Sequence, residues 1–279
     1  MKPETYRVII FFAILALVAV WEIAAPKRRL TVSKAGRWFN NLSIIFLDTL
    51  LARLLMPVMA VGVAAAAQQQ GWGLFPYLQF GFWPSLILGV LLLDMVIYLQ
   101  HLMFHSVPLL WRLHMVHHAD LDIDVTTGLR FHPIEILISA AIKMAAVAAL
   151  GVPVFAVVVF EVTLNGTAMF NHGNIRMPGR LDAILRLLVV TPDMHRVHHS
   201  VTIRETNSNF GFNFPWWDRL FGTYRAQPVM GHDGMTIGLS QFRNAAKLTL
   251  PHLLILPFTG NAGSYAIDSI GRDPQTLKK

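Results

Sequence analysis

Residues 84–120 read "PSLILGVLLLDMVIYLQHLMFHSVPLLWRLHMVHHAD", an apolar run that passes directly into histidines. The segment 84–100 carries one charge, Asp94, and approaches the roughly 20 mostly apolar residues that a spanning helix needs. His101 and His105 follow at i and i+4, then His114, His117 and His118 at i, i+3 and i+4. On a helix each set projects from one face. "MHRVHHS" (194–200) repeats the second spelling with His195, His198 and His199. Ten of the twelve histidines fall between 101 and 199, including the single His132 in "RFHPIE" and His172 in "FNHGN".

The rest of the chain supplies the setting. Of its 279 residues 54% are hydrophobic and only 14% charged, against about 25% charged in a soluble domain, and the mean hydropathy is +0.49. Because the apolar material runs from end to end, we expect one membrane-embedded unit. The net charge of +7 gathers near the ends of apolar runs, as in "PKRRLTVSKAGR" (26–37). That is a membrane-flank pattern rather than a nucleic-acid footprint. With no cysteine, a metal here must be held by nitrogen and oxygen.

Expected spans are 6–25, 42–66 and 84–100, then a hairpin within 134–170 broken at Gly151 and Pro153. The run 8–25 has no clear cleavage site and is followed by basic residues, so it reads as a retained helix. Asp48 and Arg53 fall inside the second span, where charges usually face a bundle interior. The uncharged 67–83 suits an interfacial turn; 248–258 is too short and Pro-broken to span. Placing Lys27, Arg28, Arg29, Lys34 and Arg37 in the cytosol fixes the parity of the later crossings. The third helix then delivers 101–118 to the cytosolic face, and the hairpin returns 172–199 to the same face.

Neutral imidazole suits iron, zinc, copper and nickel. One ion cannot take eight or more imidazoles, but two ions can share them, so an all-histidine binuclear site at a membrane surface is expected. Asp94, Asp120, Asp122, Asp124, Glu135, Asp193 and Asp218 are candidate acceptors for the outer N–H of each ligand. The lone His232 and His252 read as structural. A zinc transporter or a pH-sensing cluster also uses many histidines. A transporter, however, places its ligands mid-membrane, whereas these sets lie just past the ends of apolar runs.

The order H-x-x-x-H (101–105), H-x-x-H-H (114–118), H-x-x-H-H (195–199) resembles the fatty acid hydroxylase, or sterol desaturase, superfamily of membrane di-iron enzymes. "LRFHPIE" (129–135), "FNHGN" (170–174) and "PWWDRLFGTY" (215–224) are similar to that family too. The resemblance runs from about Asp94 to Tyr224 and leaves the substrate open. It implies two Fe2+ ions, O2 as co-substrate and an external electron donor. It also implies ligands at His101, His105, His114, His117, His118, His195, His198, His199 and His172, to which we add His132. Near "NHGNIRMP" only His172 stands where some members carry two histidines, so one ligand falls to Asn174, water or His132.

The expectation is therefore an all-α integral membrane protein of four to five spanning or half-spanning helices. A cytosolic helical cap holds the dimetal site. It is one domain, 1–279, with N-terminal spans (1–83), a histidine-box core (84–225) and a C-terminal segment and tail (226–279). The expected function is O2-dependent hydroxylation of a membrane lipid on an acyl, sphingoid or sterol-type chain. Desaturation at the same site is the alternative, and a histidine-rich zinc transporter or metal-binding protein is the rival from another class. The lipid is expected to enter through a slot between 84–100 and 134–170. No dinucleotide fingerprint or haem domain is present, so a ferredoxin, cytochrome or reductase should donate electrons. Arg176, Arg180, Arg186, Arg196, Arg204, Arg219 and Arg225 could steer such a donor or pair with lipid phosphates. The expected location is a bacterial inner membrane with the site on the cytosolic side.

Overall fold

The structure is a computed structural model that describes residues 3–267. The far end of the 226–279 segment, with its terminal lysine pair, lies outside the described residues. Within them every regular element is helical, and β pairing is limited to the isolated bridges Pro26–Ile175 and Ser200–Ile237.

Helix α1 (Pro3–Ala24) is followed by α2 (Lys34–Leu55), whose N-terminus is capped by the Ser33 hydroxyl accepting from the Gly36 N–H. The expected span 42–66 is not one helix. It breaks at Met56, the residue before Pro57, where the proline ring disfavours helical backbone. The chain restarts as α3 (Ala60–Gln70) and closes at Gly71 in the left-handed conformation. The short α4 (Leu74–Tyr77) falls inside the expected interfacial turn. It is followed by α5 (Phe82–Ser106) and α6 (Pro108–His118), with the extended Val107 alone between them. Pro108 ends α5 and starts α6, so the first two histidine sets sit on two helices that meet at a corner.

Helices α7 (Pro133–Leu150) and α8 (Val154–Asn171) form the expected hairpin through Gly151, at φ +67°, and Pro153. The loop before α4 lies directly on this turn. A Cβ on Gly73 would stand 2.2 Å from the Gly151 nitrogen. Beyond α8 the chain forms short pieces: α9 (Gly179–Leu185), α10 (Pro192–His198), α11 (Ile203–Thr206), α12 (Trp216–Leu220) and α13 (Gly231–Gly234). The final helix, α14 (Leu250–Thr259), packs Leu253 and Leu256 into a cluster with Trp111 and Met115 of α6.

Five segments are long and apolar enough to cross a membrane: Thr5–Ala24, Lys34–Tyr77, Phe82–Ser106, Pro133–Leu150 and Val154–Asn171. Large apolar side chains such as Phe12, Leu17, Val20, Phe46, Leu54 and Trp83 face outward, as a lipid-facing surface requires. Inward, α5 buries Ser85, Gly89, Leu93, Ile97, His101 and His105, one residue every four. Its two histidines thus continue the packed stripe into the site. The slot expected between 84–100 and 134–170 is closed, because Leu93, Ile97, Val147, Val157 and Phe160 pack together there.

Charges inside the spans are handled unevenly. Arg53 is exposed and Asp48 buried. Glu161 of α8 accepts from Lys143 of α7 at 2.6 Å and pairs through its other oxygen with Arg7 of α1. The ends of the spans converge on one side. Pro26, just after α1, bridges to Ile175, just after α8, and Arg37 in the first turn of α2 reaches Asp120 beyond α6. Glu135, in the first turn of α7, reaches His114.

Candidate metal centre

Nine imidazoles meet at that side. His101, His105, His114, His118 and His198 form one group, and His117, His172, His195 and His199 a second. Within each group the ligand atoms lie within 4.8 Å of one another. All nine are buried, none more than 3% exposed. The grouping cuts across the sequence sets. His114 and His118 (i, i+4) go to the first group and His117 (i+3) to the second, while His195 and His199 go to the second and His198 to the first. Positions i+3 and i+4 differ in bearing by about 100° around a helix. An H-x-x-H-H helix therefore serves two centres at once.

The outer nitrogen of most rings is fixed. Nδ1–H of His101 donates to the Phe210 carbonyl (2.8 Å), of His117 to Arg130 (3.1 Å), of His172 to Ala168 (2.7 Å) and of His198 to Ser208 (2.8 Å). His105 donates to Asn207 Oδ1 (3.0 Å) and His114 to Glu135 Oε1 (2.6 Å). A ring whose Nδ1 carries the proton presents a bare lone pair at Nε2. Yet His117 Nε2 faces His172 Nε2 at 3.2 Å, and His101 Nε2 faces His114 Nε2 at 3.1 Å.

Two bare lone pairs at that separation repel unless a cation or proton lies between them. Protonation is opposed by burial, which holds His114 down to about 3 and His172 to about 4. Burial, then repulsion among neighbouring imidazoles, holds His117, His118, His195 and His199 well below the usual histidine range. Seven further ring nitrogens have no hydrogen-bond partner, on His105, His118, His195, His198 and His199. Each such group costs roughly 1–3 kcal/mol, so the set costs on the order of 10 kcal/mol, as much as a whole domain's stability. A divalent cation in each group would offset that cost, and the residues fit a two-metal centre.

The other expected candidates go elsewhere. His132 joins neither group: its Nδ1 accepts from the Ile134 N–H at the start of α7, and its Nε2–H donates to the Leu254 carbonyl (3.1 Å), leaving no free lone pair. Asn174 is also committed, bonding the backbone of Arg28 through both side-chain atoms. Among the carboxylates of the described residues, only Glu135 hydrogen-bonds a ring of either group. Asp218 accepts from the Phe210 and Gly211 N–H groups, and Asp94 from Asn213, Phe214 and Trp217. They hold the 209–214 loop whose Phe210 carbonyl orients His101. Burial pushes Asp218 up to about 6, partly countered by the Thr223, Gly211 and Phe210 donors.

Asp120 and Asp124 flank Arg37, which donates to both at 2.6 Å. Burial would raise Asp120, but Arg37 and Arg130 override it and hold the carboxyl well below the usual range. Arg130 donates from Nε to the Val116 carbonyl, while its own carbonyl takes the His117 N–H. The supporting carbonyls, Asn207, Arg37 and Arg130 were not evident from sequence. The first carry no side-chain signal, and Arg37 reads as a membrane-flank charge.

Fold and centre together define an all-helical membrane protein with two buried histidine groups, each of which could hold a metal ion. Residues 86–223 match the fatty acid hydroxylase family, close to half of the chain and including every residue of both groups. The chain belongs to that family. It is 28% identical to ornithine lipid hydroxylase OlsE of Rhizobium tropici, over 79% of this chain and 67% of that protein. It is 27% identical to human alkylglycerol monooxygenase over 61% of this chain, and 31% to that of Xenopus tropicalis over 57%. The match spans about two thirds of the length of the first relative and about a third of each monooxygenase (36% and 34%). No solved structure matches the chain.

Proposed function

We propose that this protein is an O2-dependent di-iron hydroxylase of a membrane lipid, a single domain built around 84–225. The observation that carries the reading is the pair of opposed, deprotonated nitrogens in each imidazole group. Supporting it, the relatives are named a lipid hydroxylase and an alkylglycerol monooxygenase. The proposed ligands are His101, His105, His114, His118 and His198 for one iron and His117, His172, His195 and His199 for the other. His132 is proposed as a helix cap instead.

Hydroxylation puts one atom of O2 into a C–H bond and sends the other to water, taking up two electrons and two protons. Bound iron would supply the O2 activation that this reaction needs. The chain supplies ligands held in one tautomer, a carboxylate behind His114, and a buried setting that excludes water from the reacting carbon. Electrons would come from a separate ferredoxin, cytochrome or reductase. Of the seven basic residues considered for docking it, Arg176, Arg180, Arg204 and Arg219 are exposed and suit an acidic partner. Arg196 and Arg186 are buried, pairing with Asp193 and Asp182, and do not. With the basic 26–37 segment beside the centre, the cytosolic face of a bacterial inner membrane is the proposed location.

The test is mass spectrometry of lipid extracts from cells making the intact protein or His118→Ala. A lipid that gains one oxygen only with the intact protein establishes the hydroxylase. Loss of two hydrogens would make it a desaturase. Divalent-metal flux with unaltered lipids would replace both readings with the transporter.

A further inference from the structure

A cavity of about 270 Å3 opens where α1 ends, lined by Glu22, Arg28, Arg29, Lys34, Asp124 and Asn174 among others. Most of its polar groups are spoken for. The Arg28 guanidinium donates to the His232 and Met235 carbonyls. Asp124 has both oxygens bonded, one by Thr126 and the other by Arg37 and Trp38. Asn174 is tied to Arg28.

Two groups are not fully satisfied. Glu22 is 4% exposed, and its Oε2 has no hydrogen-bond donor; the Lys34 ammonium stands 3.6 Å away, over the Trp38 ring. Arg29 is exposed on the cavity's rim, and among the described residues nothing bonds its guanidinium. One wall of the cavity therefore offers a buried carboxyl oxygen that has an ion-pair neighbour in Lys34 but no hydrogen bond, and its rim offers a cation that needs an acceptor. A simple anion would leave Glu22 without its donor, and a simple cation would face Arg28, Arg29 and Lys34.

The place is as telling as the charges. The other oxygen of Glu22 accepts the N–H of Val125 (2.7 Å) and of Asn174 (2.8 Å), and Asn174 follows His172 by two residues. The cavity thus backs onto the chain that supplies the second imidazole group. Below it, Val20 and Ile23 of α1 face outward at 63% and 73% exposure, apolar surface on which acyl chains can lie.

We propose that this cavity seats the headgroup of a zwitterionic membrane lipid, with its ammonium at Glu22 and its phosphate or carboxylate between Arg29 and Lys34. As an account of the substrate, the proposal rests on the lipid-hydroxylase reading. As an account of a binding site, it can be tested without turnover.

The full chain in detergent is titrated with short-chain phosphatidylethanolamine, with a phosphate-free amino-acid lipid bearing carboxylate and ammonium, and with short-chain phosphatidylglycerol. Tryptophan fluorescence reports binding, since Trp38 lies beside the cavity. At least one zwitterion should bind five- to tenfold more tightly than phosphatidylglycerol, the scale of a charge-assisted hydrogen bond partly open to water. Glu22→Gln keeps an oxygen for the Val125 and Asn174 N–H groups, and should erase that preference. Arg29→Gln, on the surface, should weaken all three lipids severalfold. Equal affinity for all three lipids, or a preference that survives Glu22→Gln, overturns the proposal. A protein that shows the preference but oxidises no lipid would sink the hydroxylase reading and keep the site.

Discussion

His117 and His172 face each other Nε2 to Nε2 at 3.2 Å, each with its Nδ1–H given to a backbone carbonyl. The contact joins α6 to the end of α8, 55 residues apart in the chain. It repels in the metal-free protein, and an ion between the rings makes it favourable. The two groups should therefore fill separately. Purified protein should carry two metal ions per chain, and His199→Ala, which thins only the second group, should carry about one. Metal analysis checks the ratio, and lipid oxidation should fall at least about 100-fold, at the upper end of what disturbing a metal shell does. Two ions retained in His199→Ala would refute the grouping.

Glu135 should act as a positioning residue through His114. Glu135→Gln keeps an oxygen to accept the Nδ1–H but cannot become the carboxylate that would raise the basicity of a metal-bound ring, and Glu135→Ala removes both. Metal affinity should fall roughly tenfold in the first and nearer 100-fold in the second. Helical content should be unchanged, as circular dichroism would check. Equal affinity in the wild type and Glu135→Ala would rule out the role.

Acid should loosen the metal-free protein. Burial holds His114 at about 3 and His172 at about 4 in the fold, against roughly 6.5 for a free histidine. Between those values the unfolded chain binds protons that the folded chain refuses, so stability rises with pH. The contribution is complete above about pH 7 and is lost as pH falls from 6.5 towards 4. Thermal unfolding in detergent should show a Tm that falls as pH drops below 6.5. A Tm unchanged at pH 5 would contradict the neutral, buried state of these rings.

Much of this was legible in the sequence, for reasons that particular residues make plain. The i, i+4 stripe of α5 carries its own periodicity, so span and ligands read together from Ser85 to His105. The 134–170 hairpin announced itself through Gly151 and Pro153. The second span lies within Lys34–Tyr77 as expected, but its break does not show in a hydropathy average, which a single Pro57 barely lowers and which ignores the backbone restriction that proline puts on Met56. His132 falls outside both groups although its neighbours resemble a ligand motif: its Nδ1 caps α7 through the Ile134 N–H, and its Nε2 is taken by the carbonyl of Leu254, 122 residues away. The carbonyls that orient the rings leave no trace in side-chain chemistry at all.

Arg37 shows how a residue that reads as a flank charge can hold the cap. It donates from Nε and the guanidinium tip to Asp120 at 2.6 and 2.8 Å, and to Asp124 at 2.6 Å, almost fully buried. Arg37→Ala would leave two carboxylates buried without their partner, a loss of about 3–5 kcal/mol. Arg37→Lys should recover little, because an ammonium cannot match the forked geometry. Urea unfolding of the two variants would decide: a lysine variant as stable as wild type would mean that charge alone matters.

The last prediction concerns a glycine that no charge or ligand marks. Gly128 lies in the 3-10 turn 127–129, packed against the end of α8. A Cβ there would stand 2.6 Å from the Ala168 carbonyl oxygen and 3.0 Å from His172 Nδ1, the two atoms whose hydrogen bond fixes that ring. Backbone cannot give way as a flexible side chain can, so Gly128→Ala must displace the carbonyl, the ring or both. We expect a protein that inserts and folds, keeps the first metal and loses most of the second, with lipid oxidation falling together with the lost ion. Gly179→Ala, where a Cβ meets nothing within 4 Å, is the matched control and should behave as wild type. Full loading of both metals in Gly128→Ala would mean that the His172–Ala168 bond does not govern the second group.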